Sequence, residues 1–337
     1  MRRSWGFLIV VSLALSLAVP VLYGGLDSLA HLRRLPLWVV ALLLGMVLLG
    51  WNFNAARVHL LARYLGSPMG RRQALATVVS AEFAWCASPA GAGGPATYVF
   101  LLSRHGLAVG RGAALVAVDQ LTDLVFFATA MPLALALYAL HRGISHPLRL
   151  FVLVAVLVLG GAATLAWLVR HYRPLELGLG RLLRHVPRLS KVRYRLARWL
   201  VQFKQGVRLL LAMGKGRMFL LYLFCVGHWM MRYGVLPVLL WLLGESVPWG
   251  YLFAIQALLG FVAHAAFLPG GGGGVEVAFG ALLSPYLDPV TSAFVLLVWR
   301  FCTFYWYLLA GAPVFVLSTG NMAGRLVAMG TCQGDRD

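Results

Sequence analysis

The stretch Leu268-Pro269-Gly270-Gly271-Gly272-Gly273-Gly274-Val275-Glu276 decides how this chain folds. It lies inside an apolar run from Tyr251 to Leu283 that would cross a membrane if it were one helix, since about 20 residues span the hydrocarbon core. A glycine costs about 1 kcal/mol and a proline about 3 kcal/mol in a helix interior. Five consecutive glycines after Pro269 therefore split the run into two half-helices. Glu276 stands near the start of the second half, where an acid also suits the positive end of the helix dipole.

A second run, Gln73 to Leu102, is broken in the same way by Ser88-Pro89-Ala90-Gly91-Ala92-Gly93-Gly94-Pro95. A shift of 180 residues carries Pro89 onto Pro269, Gly91 onto Gly271, Gly93 onto Gly273 and Gly94 onto Gly274. The same shift brings the run from Leu37 near the run from Met218, and the run from Ala113 near the run from Val290. The pattern is span, broken hairpin, span, repeated once.

Composition agrees with a membrane setting. Of 337 residues, 61% are hydrophobic and only 12% charged, and the mean hydropathy is +0.82. A disordered chain, a coiled coil and an ordinary soluble enzyme are excluded. Unbroken apolar runs cover Trp5 to Tyr23, Leu37 to about Ala56, Ala113 to Leu140, Leu150 to Val169, Met218 to Leu243 and Val290 to Leu317. The first is expected to be a retained span, since no clean small-x-small cleavage site follows it. The four cysteines show no CxxC spacing, so neither a disulfide framework nor a metal site is expected, and no cofactor is implied.

Charge sets the orientation. Residues 170–217 hold 13 Lys/Arg against a single acid, Glu176. Positive charge favours the cytoplasmic side, so this segment and both termini are expected inside, with Arg57, Arg63, Arg71 and Arg72. Arg33, Arg34, Arg142 and Arg149 then lie outside. Basic flanks put the ends of the first hairpin inside. Flanks without Lys or Arg put those of the second outside. The expected architecture is all-α and polytopic: an inverted-topology repeat with two re-entrant helical hairpins, over residues 37–140 and 218–317. The basic cytoplasmic segment 170–217 joins the two. Transporters built this way hold their substrate where the broken helices meet. The basic segment is expected on an anionic lipid surface, with Trp199 and Phe203 among its charges. Nucleic acid is not expected.

Four of the ten acids fall inside apolar runs, namely Glu82, Asp119, Asp123 and Glu276, and Arg232 and Arg300 join them. A charge at the centre of a spanning helix costs roughly 2.5–3.5 kcal/mol even on a lenient scale, so these side chains need partners or a wet cavity. Asp119 and Asp123 are four apart and share a helix face. Arg300 falls one residue from Asp119 under the 180-residue shift, which suggests either a structural ion pair of Arg300 with Asp119 or Asp123 or a proton- or headgroup-binding site that switches partners. Gly93, Gly94, Gly271, Gly272, Gly273, Glu276 and Arg300 are the candidate substrate contacts; Glu82, Asp119, Asp123 and Arg232 form the candidate intramembrane charge network. The alternatives are that the glycines only permit close packing and that Glu276 only caps its helix.

Two motifs carry a family resemblance. Ser88-Pro89-Ala90-Gly91-Ala92-Gly93-Gly94-Pro95, followed by Leu101-Leu102-Ser103-Arg104-His105-Gly106, and the later Pro269 to Glu276 turn resemble the two signatures of the flippase-like membrane family related to the transmembrane region of lysylphosphatidylglycerol synthases. Asp119-Gln120-Leu121-Thr122-Asp123-Leu124 and Trp299-Arg300-Phe301 are similar to its acidic and arginine motifs. The resemblance implies movement of an amphiphilic lipid, anionic or glycosylated, between the leaflets of an inner membrane, with no enzymatic step. No GxxxxGK[ST] motif is present, so ATP would not drive it. A membrane-embedded enzyme or a scaffold of lipid or cell-envelope biosynthesis remains the alternative.

The orientation is directly testable. A single cysteine placed at Leu189 should stay unlabelled by an impermeant thiol reagent in intact cells and become labelled once the membrane is opened. Labelling in intact cells would reverse the topology.

Overall fold

In the computed structural model the described residues are 2–25, 35–142, 190–266 and 268–333, with positions 28, 31, 152, 156, 160, 161 and 163 between them. Most of the expected span from Leu150 to Val169, and residues 170–189 of the basic segment, lie outside these residues. Among the described residues the chain is helical throughout, without strands. Helix α1 covers Arg2–Gly24 and α2 covers Leu37–Tyr64. Helices α3 (Arg71–Cys86) and α4 (Gly93–Arg104) are the arms of the first hairpin, joined at a 3₁₀ turn, Pro89–Gly91. Then come α5 (Val109–Arg142), α6 (Ser190–Leu211) and α7 (Lys215–Leu242). The second hairpin pairs α8 (Trp249–Ala265) with α9 (Gly274–Leu283) across the turn Pro269–Gly271. Finally α10 (Pro289–Arg300) runs through a π turn, Phe301–Tyr305, into α11 (Trp306–Gln333). Asp288 caps α10, accepting from the amides of Val290 and Thr291 at 2.9 and 3.1 Å.

Among the described residues four stretches are long and apolar enough to cross a membrane: Leu37–Tyr64, Val109–Tyr138, Lys215–Leu242 and Pro289–Gly320. The protein is thus an all-α polytopic membrane protein. Helix α2 runs well past Ala56, the end that the apolar run suggested, because Val58, Leu60, Leu61 and Ala62 prolong its apolar face.

Helices α2 and α7 pack side by side and antiparallel. Met46 meets Gly234, Gly50 meets His228 and Met231, and Phe53 meets Gly227 and Phe224, so one number rises as the other falls. The His228 Nδ1 donates to the Gly50 carbonyl oxygen at 3.0 Å, which makes it a packed helix-to-helix contact. Helix α6 leans on α5. A Cβ on Gly110 would lie 2.5 Å from the Trp199 carbonyl oxygen, and one on Gly206 would lie 2.7 Å from the Ala114 Cβ. The backbone of Trp199 and Phe203 and the Gln202 Cβ thus approach α5 at Gly110, and the two rings stack on each other. The two glycines make the close approach possible.

The two hairpin turns touch and repeat one backbone conformation. Ala90 has φ 52° and ψ 18°, and its counterpart Gly270 has φ 62° and ψ 11°; Gly91 and Gly271 both have φ 70°. The Gly91 amide donates to the Ser88 carbonyl at 3.2 Å, and the Gly271 amide donates to the Leu268 carbonyl at 3.0 Å. Ala90 carries a side chain in the left-handed region that favours glycine, so the first turn holds a strained residue where the second has none.

Close packing at Gly250 supplies a stability test. A Cβ there would sit 2.3 Å from the Ala134 carbonyl oxygen, whereas a Cβ on Gly45 meets nothing within 4 Å. Gly250→Ala should destabilise the protein by about 1–3 kcal/mol through overpacking, and Gly45→Ala should be neutral or slightly stabilising. Melting of the two variants in one detergent compares them.

Candidate functional site

Among the described residues three arginines organise the interior, Arg57 and Arg300 buried and Arg232 half-buried. Arg57 on α2 is 1% exposed and bridges both acids of α5, reaching Asp119 at 2.6 Å and Asp123 at 2.8 Å. It also donates to the Asp119 carbonyl oxygen at 3.0 Å. Asp123 further accepts from the Trp229 indole at 2.8 Å and from the Cys225 thiol at 3.4 Å, both on α7. One guanidinium thus holds two carboxylates where α2, α5 and α7 meet. Asp119 and Asp123 do share a face, as their spacing requires. Their partner corrects the sequence reading. Arg57 lies within a spanning helix and not among the cytoplasmic charges, and the prolonged apolar pattern after Ala56 is the signal that marks it.

Arg300 does not reach Asp119 or Asp123. Its guanidinium lies 2.7 Å from Glu276 and donates to the Gly270 carbonyl oxygen at 3.0 Å. Glu276 in turn accepts from the Gly273 amide at 2.7 Å and from the Ser16 hydroxyl of α1 at 2.5 Å. It therefore caps its own helix and balances Arg300 at once. Ser12, one turn earlier on α1, donates to the Pro269 carbonyl. The repeat shift misassigned the Arg300 pair because position 120 of the first half is occupied by Gln120, while the acids beside it are held by Arg57.

Arg232 on α7 donates to both oxygens of Glu82 on α3, at 3.2 and 3.1 Å. Its guanidinium also lies 5.2 to 5.9 Å from the ring centres of Trp85, Trp229 and Tyr307. This cation–π enclosure had no signal in residue spacing, because its rings come from three separate helices.

Beside the touching turns is a cavity of about 300 Å³. Arg232 and Arg300 border it, and Trp85, Trp229, Trp299 and Phe304 supply aromatic walls. The Arg300 Nε is buried and finds no hydrogen-bond partner among the described residues. Gly260, Phe261 and His264 stand at the rim.

The glycines are placed differently from expectation. Of the five after Pro269, only Gly270 borders this cavity. A Cβ on Gly271 would lie 2.7 Å from the Ala263 Cα, and one on Gly272 would lie 2.8 Å from the Ser12 carbonyl oxygen. Gly273 faces Leu15 at 3.6 Å. In the first turn, Gly93 packs on the Ala84 carbonyl and Gly94 on Trp85. Close approach of backbone, not an opening onto a cavity, is what Gly93, Gly94, Gly271 and Gly272 provide. Glu276 borders a different, smaller space beside Val19 and Ser292.

Residues 9–311 match the model of the lysylphosphatidylglycerol synthase transmembrane region, and the chain belongs to that family. It is also similar to a UPF0104 membrane protein of Archaeoglobus fulgidus, 24% identical over 267 residues, covering 78% of this chain and 81% of the relative. The protein is therefore a multi-pass membrane protein of a family named for lipid metabolism.

The Arg300–Glu276 pair can be tested by double substitution. Glu276 is 1% exposed, so Arg300→Ala strands a buried carboxylate and should cost about 3–5 kcal/mol. Adding Glu276→Gln should recover part of that loss, and adding Asp119→Ala should recover none. Thermal melting of the single and double variants separates the two outcomes.

Proposed function

We propose that the protein moves an amphiphilic lipid between the two leaflets, its headgroup passing through the aromatic cavity beside the hairpin turns. The observation that carries this is the meeting of two broken helical hairpins, turn to turn, next to a cavity bordered by two guanidinium groups. The hairpin arms have 16, 12, 17 and 10 residues. At 1.5 Å per residue these are about 24, 18, 26 and 15 Å, each short of the ~30 Å hydrocarbon core. Both hairpins are then re-entrant, entering from opposite faces and turning at mid-depth. Non-helical backbone is tolerated there because protein and a cavity surround it.

The chemistry of the cavity suits a polar headgroup. Arg232 and Arg300 offer donors to phosphate or sugar oxygens, and the aromatic walls offer apolar faces that impose no fixed hydrogen-bond pattern. Each arginine already has a carboxylate partner, so the cavity is close to neutral and a headgroup can leave it as readily as enter. The lipid is not altered: binding, charge balance and a path are the whole task. Movement is downhill or ion-coupled. Both termini lie on the cytoplasmic side of the inner membrane in this reading.

Gly260 gives a test that spares the fold. Its position at the rim has only the Tyr233 hydroxyl, at 4.0 Å, near an added Cβ, so a large side chain can project into the cavity. In proteoliposomes carrying fluorescent phosphatidylglycerol or phosphatidylethanolamine, the parent protein should expose inner-leaflet label to an impermeant quencher, and mass spectrometry should find the lipid unchanged. Gly260→Phe should slow this at least about tenfold, an increase of about 1.4 kcal/mol in the barrier, with an unchanged melting temperature. A parental rate in a well-folded Gly260→Phe protein would place the path elsewhere. Chemical conversion of the lipid would favour an enzyme.

A further inference from the structure

A second cavity, of about 890 Å³, lies at the end of the bundle where α2 finishes and α3 and α7 begin. Arg63, Arg71, Arg72 and Arg217 border it, with His59 deeper inside. Among the described residues no carboxylate lines it. Among the described acids, Glu82, Asp119, Asp123 and Glu276 are held by Arg232, Arg57 and Arg300, and Asp288 caps α10. Glu245 follows the far end of α7. The four arginines therefore concentrate positive charge at one opening.

Three further features point to an anion. Arg71 and Arg72 are the first residues of α3, whose N-cap is Gly70, without a side-chain oxygen to satisfy the first amides. A helix N-terminus in that state favours negative charge. The His59 Nδ1 is buried and lacks a partner. The Arg217 guanidinium lies 5.5 Å from the Tyr64 ring centre, which fixes it beside the opening.

The rest of the wall is apolar. Leu49, Phe53, Leu60, Leu220 and Phe224 line it, and Leu49 and Leu220 are exposed on the outside of spanning helices. From Leu49 to Arg63 the wall follows α2 for 14 residues, about 21 Å, which covers the depth of one leaflet, half of a ~30 Å core. A soluble anion has no use for such a wall. The groove also stands apart from the aromatic cavity, with no lining residue in common.

We infer that this groove binds an anionic phospholipid of the adjoining leaflet, its phosphate among Arg63, Arg71, Arg72 and Arg217 and an acyl chain along Phe53, Leu60 and Leu220. The site concerns binding, so it stands or falls independently of whether lipid crosses the membrane.

Native mass spectrometry of the full chain, delipidated and then offered equal amounts of phosphatidylglycerol and phosphatidylcholine, reads it out. The parent protein should retain phosphatidylglycerol preferentially. Removing three charges that are exposed, as Arg71→Gln/Arg72→Gln/Arg217→Gln, should reduce that preference at least about tenfold without lowering the melting temperature. Arg184→Gln/Arg188→Gln/Lys191→Gln, an equal charge loss in the basic segment, should change it less than about twofold. Glycerophosphoglycerol, the headgroup without acyl chains, should compete poorly. The site is refuted if the first triple variant keeps the parental preference, or if both triple variants lose it alike. Equal competition by glycerophosphoglycerol would refute the lipid assignment.

Discussion

A charge can stand in an apolar interior only if another charge or a set of donors answers it, and the rest of this structure depends on that constraint. Removing one partner of a buried ion pair strands the other and costs about 3–5 kcal/mol. Each of the three arginines joins helices remote in sequence: Arg57 holds α2 to α5, Arg232 holds α7 to α3, and Arg300 holds α10 to α9. Successive residues of a helix point about 100° apart, so a slip of one residue in any of these helices would turn a partner away. The pairs therefore fix helix register as well as proximity. They are not equally enclosed. The side chains of Arg57 and Asp119 are 1% and 8% exposed and those of Arg300 and Glu276 are 6% and 0%, while Arg232 and Glu82 reach 17% and 13%. The first two clusters belong to the frame. Arg232–Glu82 is the pair most open to the central cavity.

The broken hairpins were legible because proline and a glycine run override apolar periodicity whatever the tertiary context. Four of the spans, those over Leu37–Tyr64, Val109–Tyr138, Lys215–Leu242 and Pro289–Gly320, were legible from length and hydropathy. The identities of the buried acids were legible too, since an acid in an apolar run is costly and must have a reason. Their partners were not. Pairing depends on which helix faces which, and a shift of 180 residues aligns positions in the chain without giving the packing between the two halves. Arg57 was hidden by a boundary: a basic residue near the end of an apolar run is read as cytoplasmic. The aromatic walls were hidden by composition, because Trp85, Trp229 and Trp299 look like any aromatic residue of a membrane helix.

The glycine turns show how one residue type can serve two ends. At Gly91, Gly270 and Gly271 the backbone is left-handed, a conformation in which a Cβ costs energy. At Gly93, Gly94 and Gly272 the angles are ordinary, and the absence of a side chain lets another chain segment approach. Both uses bring the turns together and bring α1 onto the second turn through Ser12 and Ser16. The polar surface of the central cavity comes instead from the guanidinium groups and indoles at its edge. A cavity lined by side chains is more easily re-tuned than one lined by backbone amides. The fold and turns can then persist while the headgroup preference changes.

The groove and the central cavity differ in charge in a way that fits passage between them. On α7, Arg217 at the groove and Arg232 at the cavity are 15 residues apart, about 22 Å along the helix, the distance that the transport reading requires between bilayer surface and mid-depth. The groove gathers four arginines with no lining acid among the described residues, so it favours an anionic lipid at rest. At the cavity each guanidinium is matched by Glu82 or Glu276, so an anion arriving there must compete with a carboxylate already in place. Conduction through a membrane protein needs sites that are favourable enough to enter and weak enough to leave. An unbalanced arginine pair at mid-depth would bind a phosphate tightly in a medium of low dielectric constant and hold it there. On the transport reading, the carboxylates keep the deepest point of the path from becoming its deepest trap.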